Sequence, residues 1–160
     1  MLNIRQARPD DAAPIADIWN AIIRESARTF TTKEKTACGI AVEIRDRGEA
    51  FIVAEIEGEI VGYATYFPFR GGPGYAYTKE HSVNVDHRAW GRGVGRALMD
   101  QLEAVAKRED VHSLIAGVSG ENPDGVAFHK AIGFEVVARV PAVGRKFDRW
   151  MDLILLQKFL

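Results

Sequence analysis

The chain has a single cysteine, Cys38, in 160 residues, so no intrachain disulfide can form. With no CxxC pair or Cys/His cluster, no structural zinc and no other metal are expected, and a reducing, cytoplasmic setting is. No histidine near it in sequence could activate Cys38, which is expected to be a small buried apolar residue. No charge of one sign dominates. Lys and Arg number 21 against 22 Asp and Glu, a formal net charge of -1, which leaves no bulk positive field to hold nucleic acid or an anionic membrane. Long apolar runs are missing too: stretches such as Leu153-Ile154-Leu155-Leu156 fall far short of the ~18 residues a membrane span needs. The N-terminus passes from Met1 to Arg8-Pro9-Asp10-Asp11 without the apolar core of a signal peptide. What is present, 47% hydrophobic and 27% charged residues, is the composition of one globular domain over residues 1–160.

Periodicity then orders the chain. Residues 2 to 7 predict a short edge strand, and Pro9-Asp10-Asp11 an acidic, proline-led helix start. Ile15, Ile18, Trp19, Ile22 and Ile23 recur at helical spacing as one buried stripe. Arg24 to Thr32 reads as a loop, and a second helix is expected over about residues 33 to 47, ending at Gly48. Phe51 to Ile56 and Ile60 to Phe67 flank Glu57-Gly58-Glu59 as a β-hairpin. Arg70-Gly71-Gly72-Pro73-Gly74 must be irregular, and Tyr77 to Val85 is the next strand. Val94, Leu98, Leu102, Val105 and Ala106 mark a further helix, followed by a strand near 112 to 118 and a short helix near 122 to 132. Two last strands are expected to part at Pro141 to Gly144. The order is β-α-α-β-β-β-α-β-α-β-β. This is a mixed α/β sheet with an antiparallel half and one parallel strand-helix-strand crossover. In the last strand Trp150, Leu153 and Leu155 read as core. Met151, Ile154 and Leu156 are apolar as well, so burial on both faces, with a homodimer interface there, is the expectation.

The densest chemical signal is Val83-Asn84-Val85-Asp86-His87-Arg88-Ala89-Trp90-Gly91-Arg92-Gly93-Val94-Gly95-Arg96. Here a strand runs through glycines into a helix, so backbone N–H groups can point at an anion with no Cβ in the way. No Asp or Glu occurs between Asp86 and Asp100, while Arg88, Arg92 and Arg96 do, which marks a local site for a phosphate-bearing ligand. A Walker A loop is excluded because no lysine follows the glycines, and the dinucleotide GxGxxG fails because its third glycine would fall on Arg96 or Leu98.

The glycine loop resembles the pyrophosphate loop of the acetyl-CoA-dependent N-acetyltransferase (GNAT) superfamily, Gln/Arg-x-x-Gly-x-Gly/Ala, with Gly93 and Gly95 in register and Trp90 at the leading position. Within that superfamily the chain is similar to the phosphinothricin and methionine sulfoximine acetyltransferases. Four stretches carry the likeness: Lys79-Glu80-His81-Ser82-Val83-Asn84-Val85, Asn122 through Gly133-Phe134, Val143-Gly144-Arg145-Lys146-Phe147, and Trp150-Met151-Asp152-Leu153. Asn84 replaces the tyrosine usual in the first, and Phe69 stands where many members have tryptophan before the arginine that Arg70 matches.

The resemblance implies acetyl transfer from acetyl-CoA to the α-amino group of a small amino acid analogue, with no metal. Glu80 would be the general base, acting through a water, and His129 would protonate the departing thiolate. Val83, Asn84 and Val85, the loop Gly91, Arg92, Gly93, Val94, Gly95 and Arg96, and Asn122 would hold the cofactor. Arg70, Gly71, Gly72, Glu80, His81, Ser82 and Phe30 would surround the acceptor, with Arg70 on its carboxylate or phosphinate.

Plainer roles exist for the same residues. The glycines could form only a turn, Glu80 could be a solvated strand carboxylate, His129 could merely pack, Arg70 could face solvent, and Asn122 could be just a helix cap. Acetylation of another amine (a polyamine, an aminoglycoside or a protein N-terminus) and a non-catalytic acyl-CoA sensor stay open as alternatives.

Overall fold

The computed structural model describes residues 1–160. Its elements follow the expected order: β1 (Leu2–Gln6), α1 (Ala12–Glu25), α2 (Ala37–Arg47), β2 (Phe51–Ile56), β3 (Glu59–Pro68), β4 (Thr78–Val85), α3 (Val94–Arg108), β5 (Ser113–Ser119), α4 (Pro123–Ala131), β6 (Glu135–Lys146) and β7 (Arg149–Phe159). One seven-stranded sheet has the order β1-β2-β3-β4-β5-β7-β6. Every neighbouring pair is antiparallel except β4 with β5, which the α3 crossover joins in parallel.

Alternation along β2 feeds both faces of this sheet. Ile52 and Ala54 pack towards α3, whose Leu98, Met99 and Leu102 are fully buried. Phe51 and Val53 point the other way, into a cluster with Ile15, Ile18, Ile40 and Ile44 of α1 and α2 and with Tyr63 of β3. Each such fully buried side chain stabilises the fold by about 1.5–3 kcal/mol.

Four expectations need correction. Helix α2 begins at Ala37, not near residue 33, with Thr36 Oγ1 accepting from Gly39 N–H at 3.0 Å. Upstream, Asn20 bonds both backbone groups of Lys35, at 2.7 and 2.9 Å, and so takes this segment out of the helix. Pro141 to Gly144 does not separate two strands. β6 runs through it as a bulge, with Val140 paired to Leu153 and Gly144 to Met151, and Asp152 Oδ1 accepts from Ala142 N–H at 2.8 Å. The real turn is Phe147-Asp148, both left-handed at φ 52° and 58°, the two-residue geometry that suits the twist of a hairpin. Met151 and Leu156 are buried, but Trp150 is 60% exposed, with the Arg145 guanidinium over its ring at 5.3 Å. Cys38 lies exposed in the first turn of α2 instead of in the core.

The segment between α1 and α2 is tied to this hairpin. Lys146, only 3% exposed, donates from Nζ to the carbonyls of Ser26 and Thr29 at 2.8 and 2.9 Å. The Phe30 ring lies flush on Gly144, where a Cβ would overlap it. A flexible loop thereby becomes a fixed wall. No helix is long and apolar enough to cross a membrane.

Candidate active site

The parallel pairing of β4 and β5 stops early. Rungs run from Thr78 opposite Ser113 to His81 opposite Ala116 and then cease, although β4 stays paired to β3 up to Val85 and β5 to β7 up to Ser119. Asp86 N–H donates to Val61 O at 2.7 Å, so by alternation residues 82, 84 and 86 spend their backbone groups on β3. Those of Val83 and Val85 therefore face the gap. Trp90 Nε1 takes the Val85 carbonyl at 2.9 Å, leaving both groups of Val83 and the Val85 N–H for a ligand. A cleft of about 810 Å³ occupies the opening, a size suited to a small-molecule substrate pair.

One end of the cleft is the glycine loop. Gly91 and Gly93 are left-handed, at φ 74° and 76°, with nothing within 4 Å of where a Cβ would stand. Gly93 caps α3, and the first bond back into the helix is Ala97 N–H to Gly93 O, so the N–H groups of Val94, Gly95 and Arg96 have no intrahelical partner. With the helix dipole behind them, they form a ready anion site. Gly95 also lets this turn approach Phe128, whose ring lies 3.1 Å from the position of an added Cβ. The arginines are less free than their spacing implies. Arg88 is paired with Asp86 at 2.9 Å, Arg92 is exposed and outside the cleft wall, and Arg96 donates to the Ala131 carbonyl at 3.2 Å.

At the point where the strands part stands Glu80. Its carboxylate is half-buried, has no hydrogen-bond or ion-pair partner, and is pushed above the ordinary carboxylate pKa by desolvation. A carboxylate of this kind is a better base than a solvated one.

On the opposite face of β4, His81 and His129 meet Nε2 to Nε2 at 2.9 Å, 5% and 6% exposed. His129 Nδ1 lies 2.7 Å from the Gly125 carbonyl, which can only accept, so Nδ1 carries the proton and the Nε2 of a neutral His129 is an acceptor. His81 must then donate from Nε2, and its Nδ1 is a buried lone pair without a partner. Burial lowers both pKa values; that of His81 falls to about 3, the neighbouring ring adding to the desolvation. Asn122 completes the chain by capping α4: its Oδ1 accepts from Gly125 N–H at 3.0 Å.

The cleft wall includes Phe30, Glu80, His81, Ser82, Val83, Asn84, Val85, Gly91, Gly93, Val94, Gly95, Arg96, Asn122 and His129 from the sequence reading. Asn84 holds Tyr63 Oη through its Nδ2 at 2.6 Å, and its backbone faces β3. Arg70, Gly71 and Gly72, expected at the acceptor, are exposed and form no part of this wall; the Arg70 guanidinium lies over the Tyr75 ring instead, at 5.5 Å. Among the residues in the wall that were not foreseen are Arg28, Lys35 and Gly117. Lys35 Nζ lies over the Trp19 ring at 4.4 Å. Only the density of basic and hydroxyl residues between α1 and α2 hinted at the first two.

A family model described as the Acetyltransferase (GNAT) family matches residues 15–134. The chain is 35% identical to the L-methionine sulfoximine/L-methionine sulfone acetyltransferase of Salmonella typhimurium, over 98% of this chain and 93% of that protein. It is 34% identical to the phosphinothricin N-acetyltransferase of Streptomyces coelicolor, over 95% and 92%. An acetyltransferase from Salmonella typhimurium, solved with its cofactor acetyl-CoA, superposes with a TM-score of 0.96 at 33% identity, covering 100% of this chain and 94% of that one.

Proposed function

The chain belongs to the GNAT acetyltransferase family, and from that premise we propose that it moves acetyl from acetyl-CoA to the α-amino group of a small amino acid analogue of the methionine sulfoximine, methionine sulfone or phosphinothricin type. The observation that carries this reading is the unpartnered, half-buried Glu80 carboxylate at the point where β4 and β5 separate, beside free backbone groups of Val83 and Val85. Those groups bond the amides of the pantetheine arm as a missing strand would, and the free N–H groups at the start of α3 receive the diphosphate. Asn122 lies along the same arm.

Glu80 takes a proton from the acceptor ammonium, directly or through a water. The freed amine forms the new C–N bond at the thioester carbonyl, whose oxygen gains charge beside an N–H of β4; the C–S bond then breaks as the CoA thiolate leaves, and the second proton of the nitrogen passes to that sulfur or to solvent. In the neutral histidine pair every N–H is committed, so His129 can protonate that thiolate only from a state in which the pair holds an extra proton. Lys35, not Arg70, is the cation placed to meet the acceptor carboxylate, because it lines the cleft on the α1–α2 side without a carboxylate of its own.

A second copy of the chain is proposed to cover the C-terminal strands β6 and β7, along which Val137, Val143, Phe147, Trp150 and Phe159 are exposed. A dimeric mass in light scattering is expected, and a monomeric mass at high protein concentration would exclude this interface. The deciding assay is thiol release from acetyl-CoA with L-methionine sulfoximine, L-methionine sulfone, L-phosphinothricin, spermidine and an aminoglycoside. Saturable turnover with the first three is expected; turnover with only the last two would overturn the acceptor class, and silence with intact CoA binding would favour a sensor.

A further inference from the structure

Arg28 is half-buried, lines the cleft, and has neither a salt bridge nor a side-chain hydrogen bond. Its guanidinium lies over the ring of Trp90, 4.6 Å from the centroid. Trp90 is the residue immediately before Gly91, and its own orientation is fixed by the Nε1 bond to Val85 O. The cation is therefore delivered from the segment between α1 and α2 to the entrance of the glycine loop, where it lies over the indole with its N–H groups unpaired. The arginines of the loop itself are otherwise engaged: Arg88 by Asp86, Arg96 by Ala131 O, and Arg92 outside the wall. A half-buried cation without a counter-ion is disfavoured unless a ligand supplies one.

We infer that Arg28 is the cation that pairs with the CoA diphosphate, closing over it from the acceptor side while the N–H groups of Val94, Gly95 and Arg96 hold it from below. This rests on the acetyl-CoA reading above. Planar, forked and always charged, a guanidinium can bridge two phosphate oxygens, and the Trp90 ring beside it favours a cation at this place. Because Thr29 and Phe30 follow it directly and also line the cleft, the same segment that grips the cofactor walls the acceptor.

The test is calorimetric titration of CoA, 3′-dephospho-CoA and pantetheine into wild type, Arg28→Ala and Arg28→Lys. Arg28→Ala should weaken CoA and dephospho-CoA about tenfold or more and leave pantetheine, which has no phosphate, unchanged; Arg28→Lys should recover part of the loss. Equal CoA affinity in wild type and Arg28→Ala overturns the assignment. So does a loss confined to CoA, which would place Arg28 on the 3′-phosphate, and so does an equal loss for pantetheine, which would mean a structural defect. Failure of the wild type itself to bind CoA would instead overturn the acetyl-CoA reading. Should Arg28→Ala melt early, Arg28→Lys against wild type, compared across the same three ligands, gives the same discrimination.

Discussion

Gly117 of β5, one residue past the last rung that joins the strands, comes up against the side chain of Glu80 on β4, so that a methyl group on Gly117 would stand 3.4 Å from Glu80 Oε2. The missing side chain keeps room beside the carboxylate for water or an amine. Glu80→Gln should therefore fold normally and bind acetyl-CoA as wild type does, with kcat reduced about 10²- to 10⁴-fold. The sign of the stability change is also fixed. A folded-state pKa raised above the unfolded value contributes stability below the unfolded pKa that is lost as pH rises, so ionised Glu80 is a cost at neutral pH. Glu80→Gln should thus have the higher Tm at pH 7, with the gap closing on acidification, and the acid limb of kcat should lie above the ordinary carboxylate range.

The histidine pair acts in the opposite sense. Both folded-state pKa values are depressed, so its contribution is present above the unfolded histidine pKa of about 6.5 and is lost as pH falls below it. Each ring that stays neutral in the fold adds a slope of about 1.4 kcal/mol per pH unit in that range. Urea unfolding between pH 7 and pH 5 should show a steep acid loss, and His129→Gln should make it shallower; an unchanged slope would mean the rings titrate normally.

Lys35 and Arg70 are distinguished by steady-state kinetics. Lys35→Gln should raise KM for the amino acid acceptor about tenfold with little change in KM for acetyl-CoA, while Arg70→Ala should alter either KM by less than about twofold. The reverse pattern would return the carboxylate to Arg70.

Lys146→Met removes two charge-assisted bonds that hold the α1–α2 segment. A loss of about 1.5–3 kcal/mol in global stability is expected at most, since part of it is confined to the segment. Faster hydrogen exchange at residues 26 to 32, together with a higher acceptor KM, is the specific readout, and exchange unchanged there would show that Phe30 on Gly144 suffices.

Much of the fold was legible because local pattern and final environment agree. The stripe Ile15, Ile18, Ile23 and the run Leu98, Leu102, Val105 are buried as their spacing predicts, and Gly48 ends α2. The errors arose where a distant residue decides local structure. Asn20 shortens α2 from across a loop, and Asp152 turns Pro141-Ala142-Val143 into a bulge when its composition reads as a turn. The true turn, Phe147-Asp148, contains none of the glycine or asparagine that usually marks left-handed backbone. Of the residues that line the cleft, the glycines of the loop and Glu80 stood out in the sequence. Arg28 and Lys35 did not, because the segment that carries Arg28 is held by Lys146, more than a hundred residues away, and Lys35 by Asn20 of α1.

The early end of the β4–β5 pairing makes the sheet incomplete until a ligand lies between the strands. On the proposed reading, an arm bonded to Val83 and Val85 would act as a short eighth strand between β4 and β5. Occupancy then raises stability by mass action, about 2.7 kcal/mol at a hundred times Kd. If the proposed donor is the ligand, the lifetime of the folded chain, as well as its rate, would follow the supply of that donor.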